Sequence, residues 1–165
     1  SALGFDRLGR PAIDWVISDP ERPARLLTFP RPVGLRSGQP WEIESGLSGG
    51  PRLILHGRIA VADRSERLAS GGLLPRTFVG YATQAGVPRY LVLGVATAMT
   101  FPDAAAFLDG YFRRFHGRPC AEAMGLDGGP SSQLTYRAGG ALHEAQASDV
   151  TVPTSLLVFA AHTPA

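Results

Sequence analysis

The chain has 165 residues, 44% hydrophobic and 18% charged, the make-up of one globular domain rather than of a disordered tail or a coiled coil. All sixteen basic residues are arginine and no asparagine occurs, which excludes a Schiff-base lysine, a Walker-type phosphate loop and N-linked glycosylation. The formal charge is only +2, so the pI of about 9.1 reflects the lack of lysines titrating near ~10.4, with the amino terminus and Cys120 left to remove those charges.

The arginines are scattered from Arg7 to Arg137, with Arg113-Arg114 the one adjacent pair, a distribution that argues against nucleic-acid binding. A lone Cys120 excludes an intrachain disulfide and a CxxC zinc site. No stretch approaches the ~18 apolar residues of a membrane span, and the first residues do not resemble a signal peptide.

Twenty glycines and fourteen prolines punctuate short apolar runs, the texture of a sheet-rich α+β domain. Strands are expected at Ala2–Phe5, Ala12–Ile17, Leu53–Leu55, Thr77–Tyr81, Arg89–Val95, Glu122–Leu126, Gln133–Tyr136 and Ser155–Ala160. Five prolines between Pro20 and Pro40 break every periodicity, so residues 18–50 read as a long loop or an extended edge. One main helix is expected over 102–116, packed on the sheet, with Thr100 and Asp103 as a capping pair and Gly117 as its stop. Its stripe of Phe107, Leu108, Tyr111, Phe112 and Phe115 reads as core.

An internal echo links Ala2-Leu3-Gly4-Phe5, followed by Gly9, Pro11 and an apolar run, to Phe78-Val79-Gly80-Tyr81, followed by Gly86, Pro88 and Tyr90–Leu93. Each unit reads as a hairpin of the form apolar, Gly, aromatic, turn, strand. Arg76 stands before the second unit, so an arginine is expected to precede Ser1. The strand-like opening at Ser1 likewise suggests that a segment comes before it.

The segment of greatest chemical interest is Gly125-Leu126-Asp127-Gly128-Gly129-Pro130-Ser131-Ser132. An apolar strand runs into a carboxylate, two glycines and two hydroxyls, a combination suited to cradling an anion or a sugar. On local sequence alone the simpler reading is an ordinary hairpin turn. Gly46-Leu47-Ser48-Gly49-Gly50 matches Gly-x-Ser-x-Gly, but a strand follows where the nucleophile elbow needs a helix. His56 and His116 have no metal-ligand company, and Trp15 and Trp41 read as packing residues.

The longer pattern, Leu74-Pro75-Arg76-Thr77-Phe78-Val79-Gly80-Tyr81, a helix, then Leu126-Asp127-Gly128-Gly129-Pro130-Ser131-Ser132, resembles the phosphodiester glycosidase domain family, which includes the lysosomal uncovering enzyme. Ser48-Gly49-Gly50-Pro51 through Gly57 resembles that family's Gly-Gly-Pro strand, and Val152-Pro153 with Ser155–Phe159 its closing strand. The resemblance covers most of the chain from residue 45 onward. Gly125 stands where the family has asparagine and Pro130 where it has a third glycine, while its Asn-Gly-Gly-Phe-Phe segment is absent. Residues 1–165 are thus expected to form the carboxy-terminal majority of such a domain, with the missing amino-terminal segment of the same protein as a partner.

The resemblance implies hydrolysis of a sugar-1-phosphodiester in an envelope or extracellular glycan, by a periplasmic or extracellular protein. It assigns Arg76 to the phosphodiester, Asp127 as the site carboxylate, and Thr77, Gly128, Gly129, Ser131 and Ser132 to substrate binding. No cofactor is implied, although a divalent cation beside Asp127 is left open. Glu122, five positions along a strand, falls on the opposite face from Asp127 and is a poor second acid. The competing reading is a non-catalytic, truncated or degenerate domain that binds phosphorylated glycan or fills a structural place in a larger protein.

Overall fold

A computed structural model describes residues 1–32, 38–68 and 72–159. The first sheet contains β1 (Ala2–Phe5), β2 (Pro11–Ser18), β3 (Leu26–Phe29), β4 (Gln39–Pro40) and β5 (Ser45–Ser48), in the order β4-β3-β2-β1-β5. The second contains β6 (Arg52–Leu55), β7 (Arg58–Ile59), β8 (Leu74–Gln84), β9 (Val87–Met99) and β10 (Glu122–Gly125), in the order β7-β6-β10-β8-β9. A helix, α1 (Phe101–His116), follows β9, and β11 (Leu134–Ala138) and β12 (Ala141–Gln146) make a separate hairpin. Every strand pairing is antiparallel, and the class is α+β.

The period-2 alternation of β8 explains the layering. Phe78 and Ala82 face one core, shared with Leu108 and Phe112 of α1, while Val79 and Tyr81 face a second, shared with Leu3 and Ile13 of the first sheet. The second sheet is therefore the middle layer, covered by α1 on one side and by the first sheet on the other. Phe112 and Leu108 are fully buried, each stabilising the fold by about 1.5–3 kcal/mol through removal of its side chain from water.

The helix carries the expected cap. Thr100 Oγ1 accepts a hydrogen bond from the Asp103 N–H at 3.2 Å, and Gly117 closes the helix at φ 64°. Both halves of the internal echo are hairpins: β1 pairs with β2 and β8 with β9, with Gly9 and Gly86 at positive φ in their turns.

Several expectations need correction. The aromatic stripe of α1 is split: Phe101, Ala104, Ala105, Leu108 and Phe112 face the core, whereas Phe107 is 46% and Phe115 60% exposed. Phe107, Tyr111 and Phe115 form a neighbouring i,i+4 row whose rings pack on each other. The stretch 18–50, expected as a long loop or an extended edge, contributes edge strands among its described residues: β3 and β4 extend the first sheet beyond β2, and β5 lies at its other edge beside β1. No strand forms over 155–159, where the chain runs irregularly past the sheets, and Ala160 lies outside the described residues. Burial pushes the Cys120 thiol up to about 12, so it is not a group that sheds a proton near pH 9.

Both tryptophans are structural. The Trp15 indole N–H donates to Glu66 Oε1 at 2.8 Å, and that of Trp41 to Asp14 Oδ2 at 3.0 Å. Among the described residues no helix is long and apolar enough to cross a membrane.

Candidate functional site

The site is built at the end of β10. There the backbone of Gly125 lies against the Gly49-Gly50-Pro51 segment: Gly50 N–H donates to the Gly125 carbonyl and Gly125 N–H to the Pro51 carbonyl, both at 2.8 Å. A Cβ on Gly125 would stand 2.8 Å from the Gly50 carbonyl oxygen and 3.0 Å from the Phe101 ring. Position 125 is thus closed to a side chain in this packing. Gly50 itself has φ 145°, and a Cβ there would meet the Glu66 carboxylate at 2.6 Å.

Beyond Gly125 the chain is held by one further strand-like bond, from the Leu126 N–H to the Thr77 carbonyl at 2.8 Å. Asp127 then projects into solvent, its Oδ1 accepting from the Gly128 N–H at 2.9 Å. A single 3-10 turn over Gly129–Ser131 redirects the chain, with Gly129 at φ 60°.

Arg76 approaches this loop from β8. Its side chain is buried, its Nε donates to the Met99 carbonyl at 3.2 Å, and Nη2 reaches the Gly72 carbonyl at 3.4 Å. The guanidinium lies over the Phe101 ring, Cζ 3.9 Å from the centroid. A Cβ on Gly128 would lie 3.2 Å from the Pro75 carbonyl oxygen and 3.7 Å from Arg76 Nη1, so the loop backbone runs beside the guanidinium. Burial lowers the Arg76 pKa from its ordinary value, which is so high that the group stays cationic at neutral pH.

Arg76, Asp127, Gly128 and Gly129 line one cleft of about 620 Å³, together with Ser48, Gly49, Gly50 and Phe101. Thr77 is not in this lining. Adjacent residues on a strand face opposite ways, so Thr77 opens instead into a second concavity of about 310 Å³. The two clefts share Ser48, Leu126 and Asp127. Ser131 and Ser132 line neither, and the Ser132 hydroxyl is fully buried without a protein hydrogen-bond partner.

Glu122 is engaged elsewhere. Its carboxylate forms an ion pair with the buried Arg52 and accepts from the His56 backbone N–H at 3.0 Å, with His56 Nδ1 at 2.8 Å. Asp127 is accordingly the one carboxylate lining either cleft among the described residues. Among the described residues, no group of three His, Cys, Asp or Glu side chains gathers to hold a metal ion.

A supporting residue not singled out in the sequence is Glu66. Its side chain is only 6% exposed and sits behind Gly50, accepting from the Trp15 indole, the Arg52 N–H and the Ser1 hydroxyl, each at 2.8 Å. Burial pushes its carboxyl up, but these donors outweigh burial and hold its pKa below the ordinary value. Nothing in Arg64-Ser65-Glu66-Arg67 distinguishes it from a solvated polar run.

No curated protein and no solved structure matches the chain significantly. The family model described as phosphodiester glycosidase matches residues 16–159, a span that takes in the glycine pair of the cleft wall, Arg76, α1 and the Asp127 loop. The chain belongs to the phosphodiester glycosidase family.

Proposed function

We propose that the protein hydrolyses a sugar-1-phosphodiester, with Arg76 holding the phosphate and Asp127 serving the anomeric carbon. The observation that carries this reading is that Arg76, Asp127 and the Gly128-Gly129 backbone line a single cleft. The substrate setting that the family resemblance implies is an envelope or extracellular glycan.

The chemistry follows from charge. Water adds to the anomeric carbon, the bond from that carbon to the bridging oxygen breaks, and its electron pair stays on the phosphate. The products are the free sugar and a phosphate monoester, whose charge grows beyond the single negative charge of the diester. Arg76 faces that developing charge, and a guanidinium can hold two phosphate oxygens at once. It therefore binds the transition state more strongly than the ground state. The Asp127 carboxylate, reachable from solvent, is placed either to take the proton of the attacking water or to stabilise positive charge on the sugar ring. A phosphate leaves without the protonation that an ordinary alkoxide needs, which fits a cleft offering one carboxylate.

That single carboxylate also supports a second reading, a domain that binds the phosphorylated glycan without cleaving it. Incubation with the methyl diester of α-D-glucose 1-phosphate and related diesters decides between them. Free sugar released by the wild type and lost in Asp127→Asn supports hydrolysis; binding of the diesters without release supports the second reading.

A further inference from the structure

Two concavities meet at Asp127, and their linings differ in kind. The larger contains the Arg76 guanidinium and the glycine loop. The smaller, about 310 Å³, has no basic side chain. Its walls are mainly aliphatic, with Leu93, Val95 and Leu134 among them, interspersed with the hydroxyls of Ser48, Thr77 and Thr154. Apolar walls carrying a few polar groups make a site for a neutral organic ligand. With Asp127 on its rim and no cation to offset it, this concavity repels a phosphate.

We infer that the smaller cleft is the sugar subsite, and that the bond to be broken crosses from it into the Arg76 cleft past the Asp127 carboxylate. The inference rests on the hydrolytic reading for its chemistry and extends it to the placement of each part of the substrate. A sugar-1-phosphodiester has two neutral ends, the sugar and the second alcohol, on either side of one charged phosphate. With the phosphate at Arg76, a sugar in the smaller cleft brings the anomeric carbon past Asp127, which lines both clefts. Placing the second alcohol there would instead set the sugar ring among the glycine backbone and the guanidinium of the larger cleft, without the aliphatic walls that suit its C–H faces. The second alcohol then lies along the larger, more open cleft, which leaves it loosely specified. The aliphatic walls suit the C–H faces of the ring, and the hydroxyls of Thr77 and Thr154 are placed to read its substituents. Specificity therefore resides in the sugar.

The test compares binding of α-D-glucose 1-phosphate and inorganic phosphate, followed by methyl NMR and calorimetry on the full chain. The sugar phosphate is expected to shift the methyl signals of Val95, Leu134 and Val152, and inorganic phosphate to leave them in place. Val95→Trp, which fills the smaller cleft, should weaken sugar phosphate binding by about tenfold or more while phosphate binding changes by less than about twofold. Thr77→Val, nearly isosteric, should change the ranking among epimeric sugar phosphates if Val95→Trp fails to fold. Sugar phosphate shifts confined to Leu68 and Leu74 of the larger cleft, absence of any shift, or an unchanged epimer ranking in Thr77→Val overturns the subsite. Absence of turnover alongside the expected shifts would instead remove the hydrolytic reading and leave the two-cleft assignment standing.

Discussion

Arg76 lies flat on Phe101, its guanidinium carbon 3.9 Å from the ring centroid, with Nε tied to the Met99 carbonyl at 3.2 Å. A strand residue is thus fixed by the first residue of the helix that follows β9. The aromatic face orients the guanidinium plane, and the carbonyl bond fixes its rotation. Both constraints act on a planar fork and not on a flexible ammonium. Arg76→Lys is therefore expected to keep the positive charge yet lose about 10–100-fold in kcat/KM, because the proposed guanidinium hold on phosphate and the stacking would disappear together. Steady-state kinetics on a sugar-1-phosphate diester checks this; a lysine variant as active as the wild type would show that charge alone suffices.

Gly125 is expected to refuse a side chain. Gly125→Asn places a Cβ 2.8 Å from the Gly50 carbonyl oxygen, a backbone atom that cannot swing aside, so a loss of about 1–3 kcal/mol or more is expected. Denaturant unfolding of the variant measures it.

Glu66 makes stability depend on acid. Its donors hold its folded pKa below the ordinary 4.5, so its contribution is fully present above that value and is lost as pH falls through the folded pKa. Asp14 works in the opposite sense, since burial raises its carboxyl above 3.8, but it is common to wild type and variant. Glu66→Gln should cost about 1–3 kcal/mol at pH 7, and the gap to wild type should narrow below about pH 4.5. Thermal melts at pH 7 and at pH 3.5 provide the comparison.

Ser132 offers a hydroxyl that is fully buried and lacks a protein partner. Ser132→Ala is expected to leave the melting temperature unchanged or higher, because an unsatisfied buried hydroxyl costs about 1–3 kcal/mol. A marked fall in melting temperature would mean that the hydroxyl has a partner such as an ordered water.

Much of this was legible in the sequence where local rules act alone. The cap at Thr100, the stop at Gly117 and the paired hairpins follow from residue type and spacing, and each is found in the structure. The convergence of Arg76 with the Asp127 loop came from the long pattern, since fifty residues separate them and no local rule joins them. The two-cleft arrangement was not legible, because it depends on where β5 and residues 152–156 cross the sheet. Nor was the exposure of Phe107 and Phe115, because a helical stripe of five residues is wider than the face that the second sheet covers. Ser131 and Ser132 illustrate the same limit: the motif places them beside Gly129, but the 3-10 turn carries them out of both clefts.

The most direct test of the central claim is release of free sugar from an α-linked sugar-1-phosphate diester by the wild type, Arg76→Lys and Asp127→Asn, with folding of each checked by circular dichroism. The expected result is turnover by the wild type, a reduced rate in Arg76→Lys, and a loss of about 100-fold or more in Asp127→Asn with the fold intact. Turnover undiminished in a folded Asp127→Asn protein would contradict the assignment of the site.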